Sequence, residues 1–373
     1  MKLHVVIPGD LETRTGGYGY DRRMIAGLRD RGWAVQVVGL AGDFPDPAPA
    51  SREQASRVLR GLPDGALVLI DGLALGALPD EIEREARRLT IVALVHHPLA
   101  AETGIDPALA AALEISERRA LAAARSVVVT SRTTATALRA YGVTPDRITV
   151  VEPGTDPAPL ARGAAHGSPL SALGDTPSAL SPQPIEVALL CVATLTPRKG
   201  YELLIGALTA IPQRNWRLTC AGSLDRDAAT VARVRAQLRD GGLEDRVTLA
   251  GDMDADALAA EYDRADLFVL PTLYEGYGMA VAEALARGLP VVSTATGAIP
   301  DLVGEDAGII VAPGDLDALT RALSRVIADA EVRARLAADA ARVRDRLPTW
   351  ETAAAAMAAA LHSQILKSSN SQI

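Results

Sequence analysis

The sequence predicts an α/β protein made of two doubly wound, Rossmann-like domains facing a central cleft. Three observations carry that expectation. Short runs rich in Val, Ile and Leu alternate with longer Ala- and Arg-rich segments, the pattern of βα units around parallel sheets. The alternation runs twice, before and after a stretch at 156–184 rich in Pro, Gly, Ser and Ala. A chain of 373 residues also exceeds one ordinary domain.

In the first series the predicted strands are 3–8 (LHVVIP), 34–40 (AVQVVGL), 66–71 (ALVLID), 90–97 (TIVALVHH), 126–131 (SVVVTS) and 147–154 (RITVVEPG). Between the first two lies a helix candidate at 20–32, closed by a glycine suited to a helix C-terminus. The second series predicts strands at 186–195, 217–223, 246–251, 267–272, 290–294 and 308–313. A strong helix former at 350–366 follows, with no strand after it. The expected division is residues 1–156 plus the final helix 349–366, a linker at 157–184, and a second domain at 185–348. In doubly wound sheets ligands bind beyond the carboxyl ends of the strands.

Composition narrows the function classes. The chain is 49% hydrophobic and 23% charged with net charge −8, which argues against a nucleic-acid binder. Residues 1–150 hold 18 basic and 18 acidic side chains, and the remainder 20 and 28, so the acidity lies in the second half. The opening MKLHVVIPGD is too short an apolar run for a signal peptide and reads as a strand. No apolar stretch reaches the ~18–20 residues of a spanning helix. Cys191 and Cys220 both fall in strand-like apolar runs, as buried reduced thiols do. The expected location is cytoplasmic, with peripheral attachment at the inner face of the membrane left open.

The most informative stretch is 270–292, LPTLYEGYGMAVAEALARGLPVV. Glu275 stands before a Gly-X-Gly turn, and Glu283 stands eight positions later, about one turn into a helix starting near Ala280. A helix N-terminus with open N–H groups suits an anion. Glu275 is placed to accept hydrogen bonds from sugar hydroxyls and Glu283 to hold a ribose diol. Either alone is equally a surface glutamate, or a helix-start glutamate gaining ~0.3–1 kcal/mol from the dipole.

Together they resemble the E-x7-E motif of the retaining glycosyltransferases of family 4, which have the GT-B fold. That resemblance implies a donor-sugar contact for Glu275, main-chain contacts to sugar and phosphate from Tyr277, Gly278, Met279 and Ala280, and a ribose contact for Glu283. Tyr277 stands where phenylalanine is commoner. In VATLTPRKGYELLIGAL, 192–208, Arg198 and Lys199 follow a strand and precede a helix, where fixed cations stabilise a departing pyrophosphate. Thr194 occupies the position of a frequent family arginine, and Arg198 is expected to take that role. In TRTGGYGYDRR, 13–23, Gly16 and Gly17 match the family's glycine loop lining donor and acceptor, with Tyr18, Tyr20 and Arg22 as acceptor contacts. In LVHHPLAAET, 94–103, His96 matches a histidine that meets the donor sugar and the reacting centre, and His97 is the alternative. VTSRTTATAL, VVEPGTD and PTWETAAAAM resemble the family's serine-bearing turn, interdomain link and C-terminal crossover helix.

Asp252, Asp254 and Asp256 in DMDAD have the spacing of a divalent-cation site in another glycosyltransferase fold, but here an aspartate N-cap explains them. No metal and no cofactor are therefore expected. The expected reaction moves a hexose-type sugar from a UDP- or GDP-linked donor to a lipid, polyprenyl or soluble glycan acceptor, with retention. A nucleotide-sugar 2-epimerase of the same fold and a non-catalytic sugar-binding protein are the alternatives.

Overall fold

A computed structural model describes residues 1–164 and 186–370, with side chains through Leu366, so most of the expected linker lies outside the described residues. The chain divides into two compact units, Met1–Gly154 together with Pro348–Ile373, and Thr155–Leu347. All twelve predicted strand runs form strands.

The first unit holds β1 (Lys2–Pro8), β2 (Ala34–Leu40), β3 (Leu67–Asp71), β4 (Thr90–Val95), β5 (Ser126–Val129) and β6 (Ile148–Val150). They form one parallel sheet in the order β2-β1-β3-β4-β5-β6. Every residue of β3 is buried, so both faces of the sheet are covered, which is why the sequence there is continuously apolar rather than alternating. The chain leaves β1 toward β2 and returns on the other side to β3. The carboxyl ends of β1 and β3 therefore flank a topological switch point.

The first helix spans Gly16–Asp30, four residues earlier than its sequence signal. Thr15 caps it by accepting from the Tyr18 N–H at 3.4 Å, so the two glycines form its first turn rather than a free loop. The last helix, Trp350–Asn370, packs against this one. Ala353, Ala354, Met357 and Leu361 are buried, Arg23 lies over the Trp350 ring at 5.0 Å, and Arg31 donates to the Glu351 carbonyl at 2.9 Å. Its alanine face lets the two backbones approach closely: Ala354 Cβ sits 2.5 Å from where a side chain on Gly27 would begin.

The second unit holds β7 (Val187–Val192), β8 (Trp216–Ala221), β9 (Val247–Gly251), β10 (Leu267–Leu270), β11 (Val291–Thr294) and β12 (Gly308–Val311), in the order β12-β11-β10-β7-β8-β9. All neighbours are parallel. Here the switch point lies between β7 and β10. Cys191 and Cys220 sit opposite each other on β7 and β8 as buried free thiols, and burial pushes the Cys191 thiol up to about 12. Residues 157–164, expected as linker, belong to this unit. Ala161 donates to the Arg287 carbonyl at 2.9 Å and Arg162 pairs with Asp263, backbone and ionic ties that composition alone does not reveal. Among the described residues no helix is long and apolar enough to cross a membrane.

Candidate active site

In the second unit, the loops after β7 and β10 leave adjacent strands at the switch point. Gly200 makes their contact possible. It has φ +71°, and a Cβ there would lie 2.0 Å from the Pro271 carbonyl oxygen, so no other residue fits. Leu273 N–H and Thr272 Oγ1 both donate to the Arg198 carbonyl, at 2.7 and 3.0 Å. The Arg198 guanidinium in turn donates to the Tyr274 carbonyl at 2.9 Å.

This stitching brings the predicted Arg198 and Lys199 into one cluster with the predicted Glu275, 76 positions beyond Lys199. Lys199 Nζ donates to Glu275 Oε2 at 2.5 Å, and Arg198 Nη1 lies 3.8 Å from Glu275 Oε1. The three side chains are only 14–16% exposed, which strengthens their electrostatics relative to a solvated surface. Two cations face one carboxylate. Next to them begins the helix Met279–Ala286, whose first turn no side chain caps. Gly278 leads into it at φ +101°, and a Cβ there would meet Ile299 at 2.9 Å. The Tyr277 side chain packs inward with Ala282 and Ala298. The cluster and the uncapped helix start can together receive an anion.

Glu283 is half-buried on the same helix. The buried Tyr262 donates its hydroxyl to Glu283 Oε2 at 3.0 Å, and Arg287 stacks over the Tyr262 ring at 4.3 Å while donating to the Glu283 carbonyl. Burial pushes the Glu283 carboxyl above the usual carboxylate range, and the Tyr262 hydrogen bond opposes that rise. Thr272 and Tyr262 were not legible as site residues, because a buried threonine and a buried tyrosine carry no motif. Asp254 caps the helix Ala255–Arg264 through the Ala257 N–H at 2.8 Å.

In the first unit, the elements after β1, β3 and β4 converge. Gly17 abuts the His96 ring, which a Cβ would approach to 3.6 Å. His96 Nε2 lies 3.4 Å from Asp21 Oδ1 and 3.6 Å from Asp71 Oδ2. Sequence reasoning misses the two carboxylates. Asp71 ends an apolar strand run, which is a usable signal, whereas nothing marks Asp21 within its helix. Burial, then the neighbouring Asp21 charge, raise the Asp71 carboxyl to about 7. The His96 imidazole is pulled in both directions, burial lowering its pKa while Asp21 and Asp71 raise it, with a net rise. His97 sits 3.7 Å from Glu102. Tyr20, expected at an acceptor, is instead a core residue. It is 1% exposed, donates to the Val151 carbonyl at 3.0 Å and meets His96 edge-on, because its place on the helix faces the sheet. Tyr18 donates to the Pro8 carbonyl at 2.6 Å, and Arg22 donates to the Leu11 and Thr13 carbonyls, so both brace the loop after β1.

Residues 186–329 match the family described as "Glycosyl transferases group 1", and residues 82–159 match "Glycosyltransferase Family 4". The first match lies within the second unit, and the second match lies almost wholly in the first. The D-inositol 3-phosphate glycosyltransferase of Xylanimonas cellulosilytica is 33% identical over 65% of this chain and 58% of its own length. The chain thus spans a little over half of that relative. Among solved structures, the sucrose-phosphate synthase of Thermosynechococcus elongatus superposes with a TM-score of 0.76 at 23% identity, covering 98% of this chain and 99% of that one. Anabaena Alr3699/HepE in complex with UDP-glucose superposes with a TM-score of 0.72 at 19% identity, over 96% and 99%. The fold is GT-B. Arg198, Lys199, Glu275 and Glu283 fall in the group 1 match, and His96 and His97 in the family 4 match. The segment Gly16–Arg22 falls in neither.

Proposed function

We propose that this protein is a retaining glycosyltransferase that moves a hexose-type sugar from a UDP- or GDP-linked donor to an acceptor hydroxyl without a divalent metal. The observation that carries the reading is the Arg198–Lys199–Glu275 cluster beside the uncapped helix at Met279. The two cations and the N–H groups of the helix's first turn suit a pyrophosphate whose negative charge grows as the glycosidic bond breaks, so they bind the transition state more tightly than the ground state. Glu275 meets the donor sugar, and Tyr277 to Ala280 supply main-chain contacts. Glu283, held by Tyr262, takes the ribose diol. His96 meets the donor sugar from the first unit's sequence, with Gly16 and Gly17 lining the donor. The UDP-glucose bound by Anabaena Alr3699/HepE supports a nucleotide-sugar donor, and the name of the Xylanimonas relative supports transfer to a hydroxylated acceptor. We assign the acceptor to no class finer than lipid, polyprenyl or soluble glycan.

The test is a thermal-shift screen of UDP- and GDP-sugars, followed by turnover with the donor that binds. A ligand at 100 times its dissociation constant adds about 2.7 kcal/mol of stability. Retention is read from the anomeric configuration of the product by NMR. Epimerised donor in the absence of acceptor, or binding with neither transfer nor hydrolysis, would overturn the assignment.

A further inference from the structure

The first unit brings together two buried carboxylates and an imidazole. Asp21 is 2% exposed, and neither of its carboxylate oxygens has a hydrogen-bond partner. Asp71 is 3% exposed; its Oδ1 accepts from the Leu73 N–H at 2.8 Å, which leaves Oδ2 turned toward His96. His96 Nε2 also lacks a hydrogen-bond partner and faces both carboxylates at 3.4 and 3.6 Å. One ligand atom from each of the three lies within 4.8 Å of the others. Nothing in the sequence places them together: they come from the helix after β1, the end of β3 and the loop after β4.

We propose that Asp21, Asp71 and His96 form a binding site for one divalent transition-metal cation of the zinc, cobalt or manganese class. Two arguments converge. The first is charge. Two ionised carboxylates in a buried site need compensation, and a divalent cation with neutral imidazole balances both. The second is geometry. Metal–nitrogen and metal–oxygen bonds of about 2.0–2.2 Å in a tetrahedron set neighbouring ligand atoms about 3.3–3.6 Å apart. The His96–Asp21 and His96–Asp71 separations of 3.4 and 3.6 Å match that spacing before any adjustment. The Leu73 N–H fixes the Asp71 carboxylate, as an outer partner does for a ligand. One imidazole with two carboxylates selects the borderline divalent ions over copper(I), which prefers sulfur. Three protein ligands leave a fourth position open, and the His96 side chain, 21% exposed, gives a path of entry.

The site is separate from the turnover proposed above, which needs no metal. The imidazole is nevertheless the one proposed to meet the donor sugar, so occupancy competes with that contact and a bound cation slows transfer. That consequence rests on the proposed function; the binding itself does not.

The experiment is a titration of tag-free, chelator-treated full-length protein with Co2+, read by the visible absorption of the bound ion and by displacement with Zn2+. One equivalent should bind to the wild type. Affinity should fall at least ~100-fold in Asp21→Asn, which removes a ligand charge while keeping the shape. Asp71→Asn and His96→Gln serve as second and third variants, each checked for native circular dichroism. Failure of the wild type to bind a stoichiometric ion overturns the proposal. So does binding that persists unchanged in the folded variants, which would locate the ion elsewhere on the chain.

Discussion

The Lys199–Glu275 pair gives the sharpest test of how the second unit is built. Lys199→Met and Glu275→Gln each remove one charge with little change of volume, and the double variant removes both. At a separation of 2.5 Å, the gross Coulomb attraction is about 6–7 kcal/mol for an effective dielectric of 20, before desolvation is subtracted. Breaking a buried pair from one side costs about 3–5 kcal/mol. Side chains 14–15% exposed and a second cation, Arg198, at 3.8 Å argue for less in Lys199→Met. We therefore expect about 1–2 kcal/mol of destabilisation for Lys199→Met. Glu275→Gln should lose about 2–3 kcal/mol, because it leaves two cations facing each other. The double variant should be more stable than the sum implies, with a coupling energy of at least about 1 kcal/mol. For a unit of this size, 1 kcal/mol moves Tm by about 2–4 °C. Calorimetry on the four proteins measures the cycle. Adding UDP or GDP should raise the Tm of Glu275→Gln by more than that of the wild type, since the pyrophosphate replaces the lost negative charge. Additivity within about 0.3 kcal/mol, or an equal nucleotide-induced shift, would refute the electrostatic reasoning.

Kinetics and pH extend the test to other residues. Glu275→Gln should lower kcat by about 10- to 150-fold, the loss of a charged contact made at the reacting sugar, whereas Glu283→Gln should raise the donor KM with kcat nearly unchanged; identical pure KM effects would disprove the division of roles. Tyr262→Phe should reproduce a weaker form of the Glu283→Gln effect, because it frees the carboxylate that its hydroxyl orients at 3.0 Å. Turnover should survive a chelator, and loss of activity restored by magnesium or manganese would count against the proposed mechanism. Glu117 is buried, one of its oxygens accepts from Leu99 N–H at 2.9 Å, and burial raises its carboxyl to about 8. Between pH ~4.5 and ~8 the folded chain keeps a proton that the unfolded chain releases, so stability should fall by about 1.4 kcal/mol per pH unit as pH rises, and Glu117→Gln should flatten that slope in urea denaturation.

Much of the architecture was readable along the chain. Buried parallel strands need continuous apolar runs and their connecting helices need longer amphipathic ones, so the strand count of both sheets follows from residues within a few positions of each other. The same locality exposed Glu275, Glu283, Arg198 and Lys199 as motif residues, and Asp254 as a helix cap. Tertiary structure decided the rest. No local pattern states that β10 lies beside β7, yet that adjacency is what presses Lys199 against Glu275. Gly200 reads as an ordinary turn glycine until Pro271 is seen to pass within 2.0 Å of its missing side chain. Tyr20 sits in a polar, glycine-rich stretch that suggests a surface, and only the helix starting at Gly16 turns it into the core. Asp21, Asp71 and His96 are invisible as a group because their encounter depends on strand order. Local sequence chooses each element through short-range sterics and apolar periodicity, while the partners of a side chain at a strand end are set by which strands become neighbours.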